Sequence, residues 1–197
     1  MLLTLKQAQE HLLNGTVIAV PTETVYGLAA TIHHPAAIKE IFKIKNRPGD
    51  KPLSILFSSF DQLDGLIVNP PPHLAALKKF MPGPLTIILK ANTKNVLHEI
   101  RRGGTTVGVR MPDHAKLLRL IDKTGPLAAP SANPSDKKPA MSALEVTRYF
   151  GVEFPVLDGG PCRVSMASTI IDLTGPNYKI LRTGSISSQQ ILAALKA

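Results

Sequence analysis

The sequence has little cysteine and aromatic content, and it lacks long hydrophobic runs. Cys162 is the single cysteine, so an internal disulfide is excluded. None of the apolar runs is long enough to span a bilayer, and the first residues lack a basic region followed by an apolar stretch, so we expect a cytoplasmic protein. The six histidines form no HExxH motif or Cys/His quartet, and a structural zinc is not expected.

The composition predicts one basic globular domain. With 197 residues, of which 44% are hydrophobic, the chain can bury a core as a single domain over residues 1–197. Lysine and arginine outnumber acids 23 to 14, which suits a polyanionic partner such as RNA or nucleotide phosphates, or simply a solvated basic surface. Aromatic residues make up only 5%, whereas modules that stack bases interleave aromatics with charges. Phosphate and carboxylate binding is therefore favoured.

Hydrophobic periodicity predicts alternating strands and helices. The helices are expected over residues 5–13, 35–45 and 73–81, and from the cap Asp113 through Ile121. A further helix is expected to begin at Ser142, with Glu145 completing a capping box, and Ser187 is expected to cap the last helix. The strands are expected over residues 16–20, 52–57, 85–89, 106–110, 127–129, 168–173 and 178–181. Residues 174–177 read as a hairpin turn between the last two strands. This order predicts an α/β fold with a twisted, open, mixed parallel and antiparallel sheet and flanking helices.

The most informative segment is PTETVYGLAA, residues 21–30, which follows the first predicted buried strand. It brings two hydroxyls, a carboxylate, a phenol and Gly27 to a strand end, where open α/β sheets bind their ligands. The alternative is a polar turn in which Thr22 or Thr24 caps a helix. Similar polar strand ends recur along the chain, which favours a ligand site.

Five further polar clusters follow strands or turns: residues 45–52, 81–86, 103–112, 130–135, and 165–169 with 181–184. Basic residues 45–52 form either an exposed loop or an anion site, and residues 81–86 favour a structural turn. Arg110 ends an apolar strand, so its charge needs an anionic ligand or a buried carboxylate; the strand-end position favours the ligand. Ser131 lacks the GxSxG elbow of a hydrolase nucleophile.

In this order the clusters resemble the YrdC-like family of threonylcarbamoyl-AMP synthases. The matching segments are PTETVYGLAA, KNRPGDKPL, PGPLTIIL, VGVRMPDH, PLAAPSANPS and STIIDLTG with ILRTGSIS, between Val17 and Ser187. The resemblance implies a sheet around a large basic cavity, and conversion of L-threonine, bicarbonate or CO2, and ATP into L-threonylcarbamoyl-AMP and pyrophosphate. It further implies Mg²⁺ with the ATP, and separate proteins that transfer the product to position 37 of tRNA as t6A. The chain is similar to the short bacterial-type form.

The resemblance also implies roles for individual residues. On the threonine side it places Thr24, Tyr26, Leu56, Arg110, Ala129, Ser168 and Thr169. On the ATP side it places Arg47, Lys51, Thr106, Ser131, Asn133, Pro139 and Arg182. Leu56, Ala129 and Pro139 would contribute main-chain contacts. Lys45, Arg47 and Lys51 would orient the reactants and stabilise charge, with no covalent nucleophile and no dedicated metal ligands. Asp136 stands where many relatives have glycine in SANxSG.

Two other functions are consistent with the fold that this resemblance implies. One is a non-catalytic RNA-binding or ribosome-associated module that uses its basic face and binds RNA tightly, in a salt-sensitive way. The other is a carbamoyl-transfer domain like those within hydrogenase-maturation proteins. A module that needs only positive charge does not require the whole set of Thr24, Arg47, Lys51, Arg110, Ser131, Asn133 and Arg182. For the synthase, only weak binding of RNA is expected. The synthase is therefore the favoured hypothesis.

Overall fold

A computed structural model describes residues 1–46, 51–164 and 166–196 of the chain. Its helices are α1 Leu5–Leu13, α2 Pro35–Lys45, α3 His73–Leu77, α4 His98–Arg101, α5 Ala115–Thr124, α6 Ala143–Phe150 and α7 Ser188–Lys196. Its strands are β1 Leu2–Leu3, β2 Ile18–Val20, β3 Gly27–Thr31, β4 Ser54–Leu56, β5 Leu85–Lys90, β6 Thr106–Arg110, β7 Leu127–Ala129, β8 Val156–Leu157, β9 Thr169–Asp172 and β10 Lys179–Arg182.

The described strands form one mixed sheet. Its ten strands run in the order β1-β8-β2-β3-β7-β4-β6-β5-β9-β10. The β1–β8, β2–β8, β4–β6 and β5–β9 pairs are parallel, and the other neighbours are antiparallel. The predicted α/β fold with an open, mixed sheet is confirmed.

Helices cover the two faces of the sheet unequally. Leu12 of α1 and Leu117 of α5 pack with Ile18 and Ala29 on one face. The opposite face carries the larger core, which includes Ile38 of α2 and Ile191 of α7. Every residue of β2 and β3 is buried. Because successive side chains point to opposite faces, both faces of these strands are covered, which explains why their sequences are largely apolar. On the α1 and α5 face, the part of the sheet from β4 to β10 instead carries the polar residues described below.

Several local predictions are confirmed and others need correction. Helices α1 and α2 have the predicted bounds, and β9 and β10 form the predicted hairpin. The interpretation of Thr22 or Thr24 as a helix cap is wrong, because residues 21–26 join the antiparallel strands β2 and β3. The predicted helix 73–81 is α-helical only to Leu77 and continues as a 3-10 turn, since Pro82 follows shortly after.

Helix caps also differ in detail from the sequence patterns. His114, and not Asp113, is the N-cap of α5, because its Nδ1 accepts from Leu117 N at 3.4 Å. Ser142 caps α6 as predicted, but Glu145 accepts from Met141 N and not from the cap residue. Within the described residues, no helix is long and apolar enough to cross a membrane. The assignment of residues 1–197 to a single domain stays a prediction.

Candidate functional site

A cleft of about 290 Å³ lies over the polar part of the sheet. Residues from all five further polar clusters and from PTETVYGLAA converge on it, although they are far apart in sequence. The predicted site residues that line it are Thr24, Leu56, Arg110, Ala129, Ser131, Pro139, Ser168 and Arg182. The convergence shows that these clusters belong to one site.

Strand register explains the convergence. Ser54 pairs with Gly108 on one side and with Ala129 on the other, while Ile170 pairs with both Thr86 and Arg182. Residues paired across a sheet point to the same face, so six strands present one floor to the cleft. Ser54, Thr86 and Ile170 belong to this floor, although the sequence motifs did not mark them as site residues.

Arg110 has a protein partner that the sequence analysis passed over. Its Nη2 donates to Glu23 Oε1 at 2.7 Å and to Thr24 Oγ1 at 2.8 Å, and its Nε donates to Gly83 O at 3.3 Å. Glu23 is 3% exposed and Arg110 is 7% exposed, so the ion pair is buried. The expected partner of Arg110 was an anionic ligand or a buried carboxylate, and the structure shows the carboxylate. The Nη1 group of Arg110 makes no hydrogen bond to any described residue. Arg110 is thus held rigidly with one donor group to spare.

The loop that joins β2 and β3 is closed by its own hydroxyls. Thr22 Oγ1 donates to Val25 O at 2.6 Å and accepts from the main-chain N–H groups of Thr24 and Val25 at 3.1 Å. Thr24 Oγ1 lies 2.9 Å from Thr22 Oγ1. These bonds satisfy the buried backbone of a turn that belongs to no regular element. The motif therefore serves to fix Glu23 and Thr24 against Arg110.

Arg182, at the opposite end of the cleft, is held by neutral groups. Its Nε donates to Ser168 O at 3.0 Å and its Nη2 to Ser168 Oγ at 3.1 Å. Ser168 Oγ also lies 2.9 Å from Thr86 Oγ1. Burial lowers the pKa of Arg182, and the charge of Arg110 lowers it further. Two cations that repel each other across a cleft are suited to an anion between them.

Lys45 does not line the cleft. It is 1% exposed, and its Nζ donates to the carbonyl oxygens of Ser131 and Asn133 at 2.6 Å each and to Asn133 Oδ1 at 3.2 Å. Ser135 N donates in turn to Lys45 O. Lys45 therefore ties the end of α2 to the loop after β7, so its predicted role in stabilising charge would act through that loop.

The same loop uses the side chain of Asn133 internally. Asn133 Nδ2 donates to Pro134 O and Lys137 O at 2.8 and 2.7 Å, and its Oδ1 accepts from Ser131 Oγ at 2.6 Å. Asp136 has φ of +67°, the left-handed region that favours glycine. Asp136 thus keeps a backbone conformation that a glycine adopts more easily, because aspartate tolerates this region better than most residues.

Like Asn133 and Lys45, the predicted residues Tyr26, Thr169 and Thr106 do not line the cleft. The Tyr26 hydroxyl donates to Gly160 O at 2.8 Å, and burial raises the pKa of this phenol above its ordinary value. Thr169 Oγ1 donates to Ile186 O and accepts from the N–H groups of Gly184 and Ile186. Thr106 lies at a separate depression on the sheet. Their contacts with threonine or ATP stay predictions.

Arg47 falls outside the described residues, so its predicted role is untested. Lys51 is exposed beside Pro52, which lines the cleft. No group of His, Cys, Asp or Glu that could hold a metal ion occurs in the described part of the chain. Cys162 is half-buried, and burial raises the pKa of its thiol to about 11, which leaves it poorly reactive.

The lining of the cleft is suited to an anionic ligand. Within the described residues, Arg110 and Arg182 are its charged side chains, and the remaining polar side chains there are hydroxyls. Its volume is near the lower end of the range for ligand pockets. The large basic cavity implied by the resemblance stays a prediction.

Comparisons with known proteins agree with this fold and site. The model of the Sua5/YciO/YrdC family, described as "Telomere recombination", matches residues 10–184. The chain belongs to this family. Threonylcarbamoyl-AMP synthase of Pyrococcus abyssi is 42% identical over 90% of this chain and 53% of its own length, and that of Bacillus subtilis is 38% identical over 96% and 56%. The chain thus spans about half the length of these relatives.

The family is also supported by a solved structure. The crystal structure of P. abyssi Sua5 complexed with L-threonine superposes with a TM-score of 0.92 and 40% identity. It covers 96% of this chain, which in turn covers 56% of the P. abyssi protein. The predicted membership in the YrdC-like family is confirmed.

Proposed function

We propose that this protein is an L-threonylcarbamoyl-AMP synthase, a nucleotidyltransferase acting on L-threonine, bicarbonate or CO2, and ATP. The observation that carries the proposal is the single cleft that holds Arg110 at one end and Arg182 at the other. Relatives at 42% and 38% identity bear this name, and a structural neighbour at 40% identity was solved with L-threonine. Two separated cations match a reaction that joins a carboxylate-bearing amino acid to a triphosphate.

The threonine carboxylate is placed at Arg110. The guanidinium is oriented by Glu23, Thr24 and Gly83, and its Nη1 remains available to a ligand. The carboxyl group of the ligand would compete with none of these existing bonds. Leu56 and Ala129 supply the apolar wall beside it. Substrate binding then requires little reorganisation of the protein.

The ATP phosphates are placed toward Arg182 and the loop of Ser131. Arg182 has no carboxylate partner among the described residues, so its charge is available to phosphate oxygens. Arg47 and Lys51 are proposed to extend this cationic side. ATP would bring Mg²⁺ held through its phosphates and water, because carboxylates do not line the described cleft.

In the first step, the threonine amine forms an N–C bond with bicarbonate or CO2 and loses a proton. The product is a carbamate, and with bicarbonate water is released. In the second step, a carbamate oxygen bonds to the α-phosphorus of ATP while the bond to pyrophosphate breaks. The chain's residues hold the reactants in line and stabilise charge on the phosphates. No step requires a covalent intermediate with the protein.

The product would serve proteins that place the threonylcarbamoyl group on position 37 of tRNA. A non-catalytic RNA-binding module would need a cationic surface but not the ordered pair of Arg110 and Glu23. The buried ion pair therefore favours the synthase. Salt-sensitive binding of RNA, with a steep slope, is the signature of the alternative.

The decisive experiment measures pyrophosphate release from ATP by the purified chain. We expect release to require both threonine and bicarbonate, with each omitted in turn from a CO2-depleted buffer. Arg119→Met, an exposed arginine on α5, is the matched control for Arg110→Met. Arg110→Met should raise the threonine KM by about 10- to 100-fold, since a charge-assisted hydrogen bond is lost. Release that continues without threonine would contradict the proposal.

A further inference from the structure

We propose that Ser54, Thr86 and Ser168 form a subsite for bicarbonate on the floor of the cleft, between Arg110 and Arg182. The proposal rests on the proposed function and names where its third reactant binds. It involves two hydroxyl residues, Ser54 and Thr86, to which the sequence motifs gave no role. The ligand class is a small trigonal oxyanion.

Sheet order places the hydroxyls between the two arginines. The sheet runs β4, β6, β5, β9, β10 in this region, so Thr86 on β5 lies between Arg110 on β6 and Arg182 on β10. Ile87 pairs with Val109, which puts Thr86 beside Arg110 along the ladder, and Thr86 itself pairs with Ile170 of β9. In the proposed reaction, the carbon supplied by bicarbonate links the threonine amine to the α-phosphate. With threonine at Arg110 and the phosphates near Arg182, this carbon lies over Thr86.

The hydroxyl groups of Thr86 and Ser168 include one O–H that has no acceptor among the described residues. Thr86 Oγ1 and Ser168 Oγ lie 2.9 Å apart, so one of their two protons serves the bond between them. Arg182 Nη2 donates to Ser168 Oγ and takes no proton from it. Whichever hydroxyl donates within the pair, the other keeps a free O–H. Both residues are more than nine-tenths buried, so an unused donor there is costly without a ligand or water.

Ser54 adds a second free hydroxyl to the floor of the cleft. It lines the cleft, and its side chain makes no hydrogen bond to any described residue. Gly108 lies between Ser54 and Thr86, and a Cβ at Gly108 would lie 3.2 Å from Ser54 Oγ and 3.3 Å from Thr86 Cγ2. Both distances are shorter than ordinary contacts, so a larger residue at this position would crowd the floor, and the glycine keeps it open to the cleft.

The surroundings select an anion. The free hydroxyls are donors, Arg110 and Arg182 supply positive charge on either side, and no carboxylate side chain lines the cleft within the described residues. Oxyanions are bound by convergent donors of this kind in a partly desolvated site. Bicarbonate is the reactant of the proposed synthesis that has this charge and size.

The test compares Thr86→Val, which removes only the hydroxyl in a similar volume, with Thr31→Val. Thr31 is also buried on a strand, but its hydroxyl has no hydrogen-bond partner among the described residues. Thr86→Val should raise the bicarbonate KM about tenfold, with threonine and ATP KM values within about twofold, because one hydrogen bond is lost. Thr86→Ser restores the hydroxyl and should restore the KM.

A second measurement does not depend on turnover. With threonine present, the intact chain and Thr31→Val should broaden the ¹³C signal of labelled bicarbonate, whereas Thr86→Val should not. An unchanged bicarbonate KM, a threonine KM that rises equally, or equal broadening by Thr86→Val would overturn the subsite. Absence of threonine-dependent turnover in the intact chain, together with specific broadening, would instead reject the proposed function and keep the anion site.

Discussion

The two ends of the cleft hold an arginine in opposite ways. At one end Arg110 is buried and paired at 2.7 Å with Glu23, which lies in the loop between β2 and β3. At the other end Arg182, near the sheet edge, is held by the carbonyl and hydroxyl of Ser168. The first arrangement fixes a guanidinium but offsets part of its charge with a buried carboxylate. The second leaves the charge available and gives less rigidity.

This difference matches the two substrates proposed for the cleft. An amino-acid carboxylate is small and needs a donor in a defined position, which a rigid guanidinium provides. A triphosphate carries several charges and takes more than one geometry, so an uncompensated cation is of more use to it. The same residue type thus serves positioning at one end and charge at the other.

The largest expected effect comes from breaking the buried pair. Arg110→Met leaves the Glu23 carboxylate buried without its cation, and we expect the free energy of unfolding to fall by about 3–5 kcal/mol. Urea denaturation followed by circular dichroism measures this loss. The double variant Arg110→Met with Glu23→Gln is the control, since it removes the buried charge and should recover most of the stability. A single variant as stable as the double would show that the pair is not buried in solution.

A smaller effect is expected at the anchor of the Arg182 end. Thr169→Val removes one hydroxyl that bonds the main chain of Gly184 and Ile186, and leaves these buried groups unsatisfied. We expect a loss of about 1–3 kcal/mol in unfolding free energy. Thr31→Val removes an unpartnered buried hydroxyl and should cost nothing or stabilise slightly. Equal losses in the two variants would contradict the role assigned to Thr169.

The smallest effect on stability is expected for Arg182 itself. Arg182→Gln should change the unfolding free energy by less than about 1 kcal/mol, because the guanidinium is partly exposed and has no ion-pair partner among the described residues. The ATP KM should nevertheless rise about tenfold, with a smaller change for threonine. Steady-state kinetics with each substrate varied would show this split. A large stability loss would mean that Arg182 is structural like Arg110.

Much of the fold was predictable from local patterns. The bounds of α1 and α2 follow from apolar spacing and from Asn14 and Pro35 at their ends. The N-cap of α5 and the capping box of α6 were less predictable, because neighbouring polar groups compete for the same N–H groups and only packing selects one. Asp113, for example, pairs with Arg163 from a distant loop instead of capping α5.

The sequence predicted which residues belong to the candidate site better than it predicted what each side chain contacts. The pattern required a partner for Arg110, and Glu23 stood within the most informative motif, but one sequence contains no sign that the two meet. Lys45 and Tyr26 carry groups typical of active sites, yet the fold turns both toward the main chain of other loops. Ser54 lies in a strand outside the motifs, and Thr86 lies in a motif that favoured a structural turn, so only the strand register places both at the site.

By itself, the sequence determined most of the order of helices and strands, the family, and the set of polar strand ends, because these depend on local spacing and on residue type. It did not predict β1, β3, β8 or α4. Tertiary structure alone decided which cation is paired with a buried carboxylate. That choice depends on the distance between atoms nearly 90 residues apart, as in the pairing of Arg110 with Glu23, and no local pattern encodes such a distance.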